Sequence, residues 1–543
     1  MKPTKVLYTL LFSLFSLVEV FGQTGQIEML PGTESMQAGQ KGGVKIIRLL
    51  GNVKLKQKET LLYCDSAHLY RESNYVEIFS NVRVVQGNMT ITSSTATYNG
   101  AQRTANFRGN VVMRDDKMTL TTPSLFYNLA TRNARYTEGG TIVESDTRLT
   151  SQAGNYNMGN KMLSFRGNVR VLSKDADITS DSLQYNTNSK VVFFVTQTRI
   201  QTSQAVQFAK RGTYNTVTKE AVFQETEIDT EDYIITARSS SYDQVGRYAY
   251  FTGNVKMTSK DPKNRVIITG QVAQYWREQG RAKVSGSPVM KSLVSGDTLM
   301  ISADTLISIN NKDPKKKDFL YAYYGVRIFK TDLQGRCDSL TYSLSDSVMF
   351  MNSNPILWAN NSQLVSDRME MFMKRKTIDQ MKMFNNAFII SQDTLKNLNQ
   401  VKGRDMVAFF DKGNIRRVDV NGNGESIYFA LEGDSVLTGM NKSVSSDLVL
   451  KFKDKKMETI TFLTNPDLAF IPPHELKEPD KRLRGFKWRP EEKPTKADVL
   501  AKRTVKSVRP AKPATAAPAK KTPPAKKVKE TRAQRLSRRN NGN

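Results

Sequence analysis

The sequence predicts an all-β chain built as a stack of near-identical units, and three observations carry that prediction. The first is a phrase that returns at a fixed step. Ala105-Asn-Phe-Arg-Gly-Asn-Val-Val-Met113 followed by Thr121-Thr-Pro-Ser-Leu-Phe-Tyr127 comes back as Leu163-Ser-Phe-Arg-Gly-Asn-Val-Arg-Val171 followed by Thr179-Ser-Asp-Ser-Leu-Gln-Tyr185. Leu69, Tyr98, Tyr127, Tyr156, Tyr185 and Tyr214 each lie 29 residues after the last. Self-similarity at such a period marks supersecondary units that bury their faces against neighbours. The second observation is alternation inside each unit, and the third is the near absence of apolar residues at helical spacing with caps.

Within a unit, Ala105, Phe107, Gly109, Val111 and Met113 share one parity, and Asn106, Arg108 and Asn110 share the other. The same phase holds at Leu163, Phe165, Val169 and Val171, and at Phe251, Val255 and Met257. Successive side chains of a strand point to opposite faces, so these strands are apolar on one side and wet on the other. The Gly-Asn pair interrupts every such run. Glycine inside a strand pattern marks a bulge or corner, and Asn tolerates left-handed backbone angles. A corner in every unit bends each strand across two faces and gives a flattened, V-shaped, two-sheeted stack.

The chain divides on this reading into residues 1–22 as a signal peptide, 23–43 as a leader without a period, 44–311 and 312–473 as two parts of the repeat array, and 474–543 as a basic Lys-, Pro- and Ala-rich disordered tail. Met1 to Lys5 is basic and Val6 to Val18 is apolar, which reads as a secretory signal cut after Gly22. Thirteen apolar residues fall short of the roughly 20 needed to span a bilayer. The second part keeps the motifs but loosens the step, with additions in polar tips such as Asn311 to Lys317, where the boundary is set.

The net charge of +29 is uneven: residues 475–543 hold 22 Lys and Arg against 7 Asp and Glu. Such a tail in an exported protein suits an anionic envelope component or a solvated extension better than nucleic acid. Cys64 and Cys337 occupy matching repeat slots. At even one strand spacing of about 4.8 Å per unit they stand roughly 40 Å apart, far beyond disulfide reach, so both are expected reduced in the core. His68 and His474 have no metal-ligand partners at suitable spacing, and no metal or other cofactor is expected. The Asp-Ser pairs at Asp65, Asp181 and Asp338 recur in register without a histidine, as a polar ladder does. The tyrosine column is expected to pack in the core rather than to stack ligands.

Repeats of the form Phe-x-Gly-Asn-Val followed by Thr/Ser-Ser-x-x-Leu-x-Tyr resemble the OstA/LptA family of lipopolysaccharide-transport proteins, in particular its long members from the Bacteroidetes group. The likeness spans Val44 to Asp467 and is clearest from Gly51 to Val255. It implies an elongated β-jellyroll in the periplasm, with or without outer-membrane association, whose interior takes the acyl chains of lipid A. It implies partners of two kinds, other jellyrolls of a transport bridge met by edge-strand pairing and an outer-membrane translocon, and it brings no catalytic residues. The inward-facing groove candidates are Phe107, Val111, Met113, Leu163, Phe165, Val169, Val171, Phe251, Val255 and Met257. Arg108, Arg166, Lys256 and Arg327 stand on the opposite parity, near enough to a rim to meet lipid phosphates. The same apolar parity also suits a structural β-solenoid, a scaffold or adhesin with a closed core.

Overall fold

In the computed structural model, residues 25–502 are described except for 116–117, 204, 244–247, 262–264, 295, 312, 314, 360, 375–376, 412, 434 and 454–455. The expected signal segment and residues 503–543 of the basic tail lie outside the described residues. The rest is nearly all antiparallel strand, and each strand pairs with near neighbours in the chain. Val44–Gln57, Thr60–Tyr70, Tyr75–Gln86, Met89–Asn99, Thr104–Asp115 and Met118–Asn128 follow one another as a continuous ladder, two strands to each 29-residue unit. Each unit therefore advances the stack by about 10 Å.

The corner falls where the Gly-Asn pairs predict it. Pairing registers break between Arg108 and Val111, between Arg166 and Val169, and between Thr252 and Val255. Gly109 and Asn110 have φ of 77° and 48°, and Gly167 and Asn168 repeat those values. Two consecutive left-handed residues turn the strand while keeping Phe107 and Val111 on the same inner face. Each strand thus contributes one half to each of two walls of a single folded sheet. Further along, the halves become separate strands: Ala153–Asn157 pairs with the first half of Met162–Leu172, and Thr147–Ser151 with the second.

The apolar face lies between the walls and forms one cluster from Ile27 to Phe223 and a second from Tyr233 to Leu450. The second runs unbroken from Leu306 to Leu320, across the boundary expected at 312. Buried apolar contact is interrupted instead between Phe223 and Tyr233. Residue 312 itself lies outside the described residues, and the strands on either side of the polar tip Asn311 to Lys317, Thr305–Ile309 and Phe319–Lys330, pair with each other directly.

Both ends depart from the sequence reading. In the leader, Glu28–Met29 pairs with the second half of Val44–Gln57 and Ser35–Lys41 with the first half. Together they complete a first rung. They lack alternation because they lie at an edge and are mostly exposed, where polar side chains protect an unpaired strand.

Residues 474–502, read from sequence as the start of a disordered tail, instead run back over the outer face of the stack. Gln400 is fully buried and clamps this strap like a peptide group: its Nε2 donates to the Lys481 carbonyl at 2.8 Å and its Oε1 accepts from Leu483 N at 2.9 Å. Gln363 does the same with the Lys487 carbonyl and Arg489 N at 2.7 and 2.8 Å. The strap ends in the short helix Lys496–Leu500, capped reciprocally by Thr495 and Asp498, which buries Val499 against Val289, Met300 and Phe329. Its hydrophobic reason is visible in the strands beneath. Ile356–Ala359 and Ala387–Ile390 are buried at four consecutive residues, as strands covered on both faces must be.

Candidate functional site

All ten groove candidates lie on the inner face, none more than 6% exposed. Phe107, Val111, Met113, Leu163, Phe165, Val169 and Val171 belong to the first core cluster, and Phe251, Val255 and Met257 to the second. Side chains from the two walls fill the space around them. Beside Leu163, Phe165 and Val171 the remaining void is about 40 Å³, room for about one or two waters and far short of an acyl chain.

The interior opens toward the other end. Between residues 359 and 460 a cavity of about 640 Å³ has Ile389, Val418, Leu450, Phe452, Met457 and Ile460 on its apolar side and Ser391, Asn399 and Ser426 among its polar groups. None of these was singled out from sequence. The available signal was the loss of the strict 29-residue step, since rungs that no longer repeat need not interdigitate alike.

Opposite the row of corners, the free ends of the walls are joined by hydrogen bonds that also repeat. Tyr127 Oη donates to Gln86 Oε1 at 2.7 Å, Tyr156 Oη to Asp115 Oδ2 at 2.7 Å, and Tyr185 Oη to Glu144 Oε2 at 2.9 Å. Tyr98 Oη donates to Gln57 Oε1 in the same way. Every bond spans 41 residues, from the tip of one wall to the tip of the other. The tyrosines pack in the core as expected, but their hydroxyls also latch the mouth.

A cation stands beside each latch. Arg103, Arg132, Lys161, Lys190 and Lys219 occupy one slot at the 29-residue step, each in a left-handed turn with φ between 54° and 62°. Lys161 Nζ lies 3.0 Å from Asp115 Oδ2, and Lys190 Nζ 2.5 Å from Glu144 Oε1. Burial pushes the Tyr127 and Tyr156 hydroxyls up to about 12, and the Asp115 carboxylate adds to the rise at Tyr156.

The remaining sequence features have structural places. Arg108, Arg166 and Lys256 point outward and are exposed. Arg327 Nη1 donates to the Asp498 carbonyl at 3.0 Å and so holds the strap. Asp65 Oδ2 accepts from Asn81 Nδ2 at 2.8 Å and Ser182 Oγ donates to the Phe165 carbonyl at 3.1 Å, which makes the Asp-Ser pairs part of the corner. Cys64 and Cys337 are buried and unpaired, and burial raises both thiols to about 12. His68 rests between Glu77, 3.3 Å from Nδ1, and the Phe79 ring. Among the described residues no group of His, Cys, Asp and Glu is placed to hold a metal, and no helix is long and apolar enough to cross a membrane. At the C-terminal edge, Asp467–Ile471 leaves Leu468 and Phe470 exposed.

Two family models match the part of the chain where the repeat is strictest. That of the OstA-like proteins matches residues 29–181. That of the lipopolysaccharide-transport proteins comprising LptA and the LptD N-terminal domain matches residues 148–281. Comparison with curated proteins found no match.

Proposed function

Because the chain belongs to the OstA-like family of lipopolysaccharide-transport proteins, we propose that it binds lipopolysaccharide by its acyl chains inside the folded sheet and carries it through the periplasm toward the outer membrane. The observation that carries this reading is the apolar inner face from Tyr233 to Leu450, which leads into the 640 Å³ cavity. A cavity of that size with one apolar wall and a few polar groups is of ligand-binding proportions, and each methylene moved into it from water contributes about 0.8 kcal/mol. The cavity is the resting site. The filled interior from Phe107 to Met257 takes chains only when the walls part, rung by rung, at the mouth. Neutral hydrogen bonds contribute about 0.5–1.5 kcal/mol net, so opening one rung is a local event. Jellyroll partners would add to the exposed edge Asp467–Ile471. The family is one of lipid transport, and no reaction is assigned to it.

The test is photocrosslinking in cells from Phe452 and Met457 in the cavity and from Phe165 and Val255 in the filled interior. The reading expects lipopolysaccharide adducts at both sets of positions. No adduct at any of them overturns it. The close packing between Ile46 and Phe223 favours a second reading, a structural β-scaffold with a closed core, and adducts absent from Phe165 and Val255 alone would support that for the N-terminal half.

A further inference from the structure

The latch row is not electrically uniform. In its third and fourth rungs the cation meets a carboxylate, Lys161 with Asp115 and Lys190 with Glu144. In the first two rungs the equivalent positions hold the neutral Gln57 and Gln86, 29 residues apart and 29 before Asp115. Arg103 and Arg132 therefore stand in the cation slot with no carboxylate in the position opposite. Arg103 Nε and Nη2 are shielded from solvent and make no hydrogen bond of good geometry, although the guanidinium lies beside the Tyr98 hydroxyl and favours its ionised form. Donor atoms of an ionised group shielded without acceptors are costly, and a bound anion is one arrangement that satisfies them.

The two guanidiniums also share a neighbour. Both lie close enough to the Tyr127 hydroxyl to favour its ionised form, Arg132 the more strongly, pulling against the rise that burial and the Asp115 carboxylate cause. The hydroxyl itself is fixed by Gln86 Oε1 at 2.7 Å. Two cations and the free N–H donors of Arg103 thus meet at the mouth beside a hydroxyl whose own proton is committed to Gln86, while the carboxylate that also acts on that hydroxyl, Asp115, is already bonded to Tyr156 and Lys161.

We propose that Arg103 and Arg132, with Tyr127 between them, form a binding site for a phosphate monoester. Guanidinium forks match phosphate oxygens bidentately, and a monoester carrying about −1.5 to −2 charge suits two arginines that each face a neutral glutamine in place of a carboxylate. In the later rungs Asp115 and Glu144 occupy the cations and repel an anion, so the site is confined to the N-terminal rungs. The source of the phosphate rests on the proposed function: a phosphorylated glycolipid with its chains behind the latch presents its headgroup here.

The experiment uses the full mature chain and titrates it calorimetrically with inorganic phosphate, with lipopolysaccharide in detergent micelles, and with enzymatically dephosphorylated lipopolysaccharide. Arg103→Gln and Arg132→Gln should each weaken phosphate binding about tenfold or more. Gln86→Glu copies the later rungs: it keeps the acceptor for Tyr127, loses one amide bond of 3.3 Å to the Leu129 carbonyl, and gives Arg132 a carboxylate. It should weaken phosphate binding as much as removing the arginine, while circular dichroism and the thermal midpoint stay near the parent's. Arg103→Lys should restore only part of the affinity. Phosphate that does not bind the parent, or binds Gln86→Glu and the arginine variants equally well, overturns the site. If phosphate binds but lipopolysaccharide does not, the anion site stands and the transport reading fails. If intact and dephosphorylated lipopolysaccharide bind alike, the headgroup assignment is overturned while lipid binding stands.

Discussion

The Tyr156 hydroxyl donates to Asp115 Oδ2 at 2.7 Å, and that bond ties the tip of one wall to the tip of the other across 41 residues of chain. Lys161 reaches the same oxygen at 3.0 Å. In the preceding rung Tyr127 bonds the neutral Gln86. The pair of rungs offers an internal comparison, since the same tyrosine geometry serves a charged acceptor in one and an uncharged acceptor in the other.

Tyr156→Phe should therefore cost more than Tyr127→Phe. Hydrogen bonds to charged groups contribute about 1.5–3 kcal/mol and neutral ones about 0.5–1.5 kcal/mol. A long repeat array does not unfold in two states, so the measurement is amide hydrogen exchange in Met118–Asn128 and Ala153–Asn157. Equal loss of protection in the two variants would show that the Asp115 charge adds nothing to the latch.

Alkaline pH should release the same row. The Tyr127 and Tyr156 hydroxyls are raised from about 10 to about 12 in the folded chain. A group whose folded value is raised contributes stability that is full below its unfolded value and lost as pH climbs through the folded one. Each should thus contribute on the order of 2 kcal/mol below pH 10, falling away between pH 10 and 12. Tyrosinate absorbance and hydrogen exchange followed together over that range check this. Ionisation of the two residues at pH 10 without change in protection would contradict it.

The repeat made the strand phase, the corners and the inner face legible, because side-chain parity and left-handed Gly-Asn pairs are local properties of the chain. Phe107, Phe165 and Phe251 are buried at 0–2% exposure as their parity requires. What the sequence did not disclose depends on contacts between distant rungs. The partner of Tyr127 lies 41 residues away, a distance that the 29-residue step does not contain. The strap was missed because Gln400 and Gln363 read as ordinary polar residues, although Ala387-Phe-Ile-Ile390 already announced a strand with two buried faces. The candidate groove was identified as a surface, but its openness depends on how completely side chains from two walls interdigitate.

The corner can be tested with one substitution and its control. A Cβ at Gly109 would lie 2.8 Å from Ser94 Oγ and 2.9 Å from its Cβ, with φ at +77°. Gly139 has a similar φ of +85° and open space around it. Gly139→Ala should cost only the backbone strain, about 1 kcal/mol, and Gly109→Ala about 1–3 kcal/mol because the neighbouring strand must also yield. Thermal midpoints and exchange rates at Thr104–Asp115 measure the difference. Equal effects would mean that the corner tolerates a side chain.

The strap makes the last prediction, and it separates the two halves of the molecule. Ending the chain after Ile471 removes Leu483, Phe486, Trp488 and Val499, and uncovers Phe388, Ile390, Ile427 and Phe429 on one patch and Val289 and Met300 on another. An outer face of that composition, left bare, binds hydrophobic dyes and other exposed apolar surfaces. The truncated chain should bind such a dye and aggregate at concentrations where the parent does not. Gln400→Ala is the milder probe: it leaves the strap's apolar residues in place, removes two hydrogen bonds from its backbone, and should cost about 1–3 kcal/mol. Both changes should raise hydrogen exchange in Ala387–Gln392 and Asn414–Glu432. Neither should alter exchange before Phe223, because among the described residues the strap's apolar contacts fall on the later strands and buried apolar contact is interrupted between Phe223 and Tyr233. Loss of protection in Thr104–Asp115 on truncation would show instead that the whole stack opens as one cooperative unit.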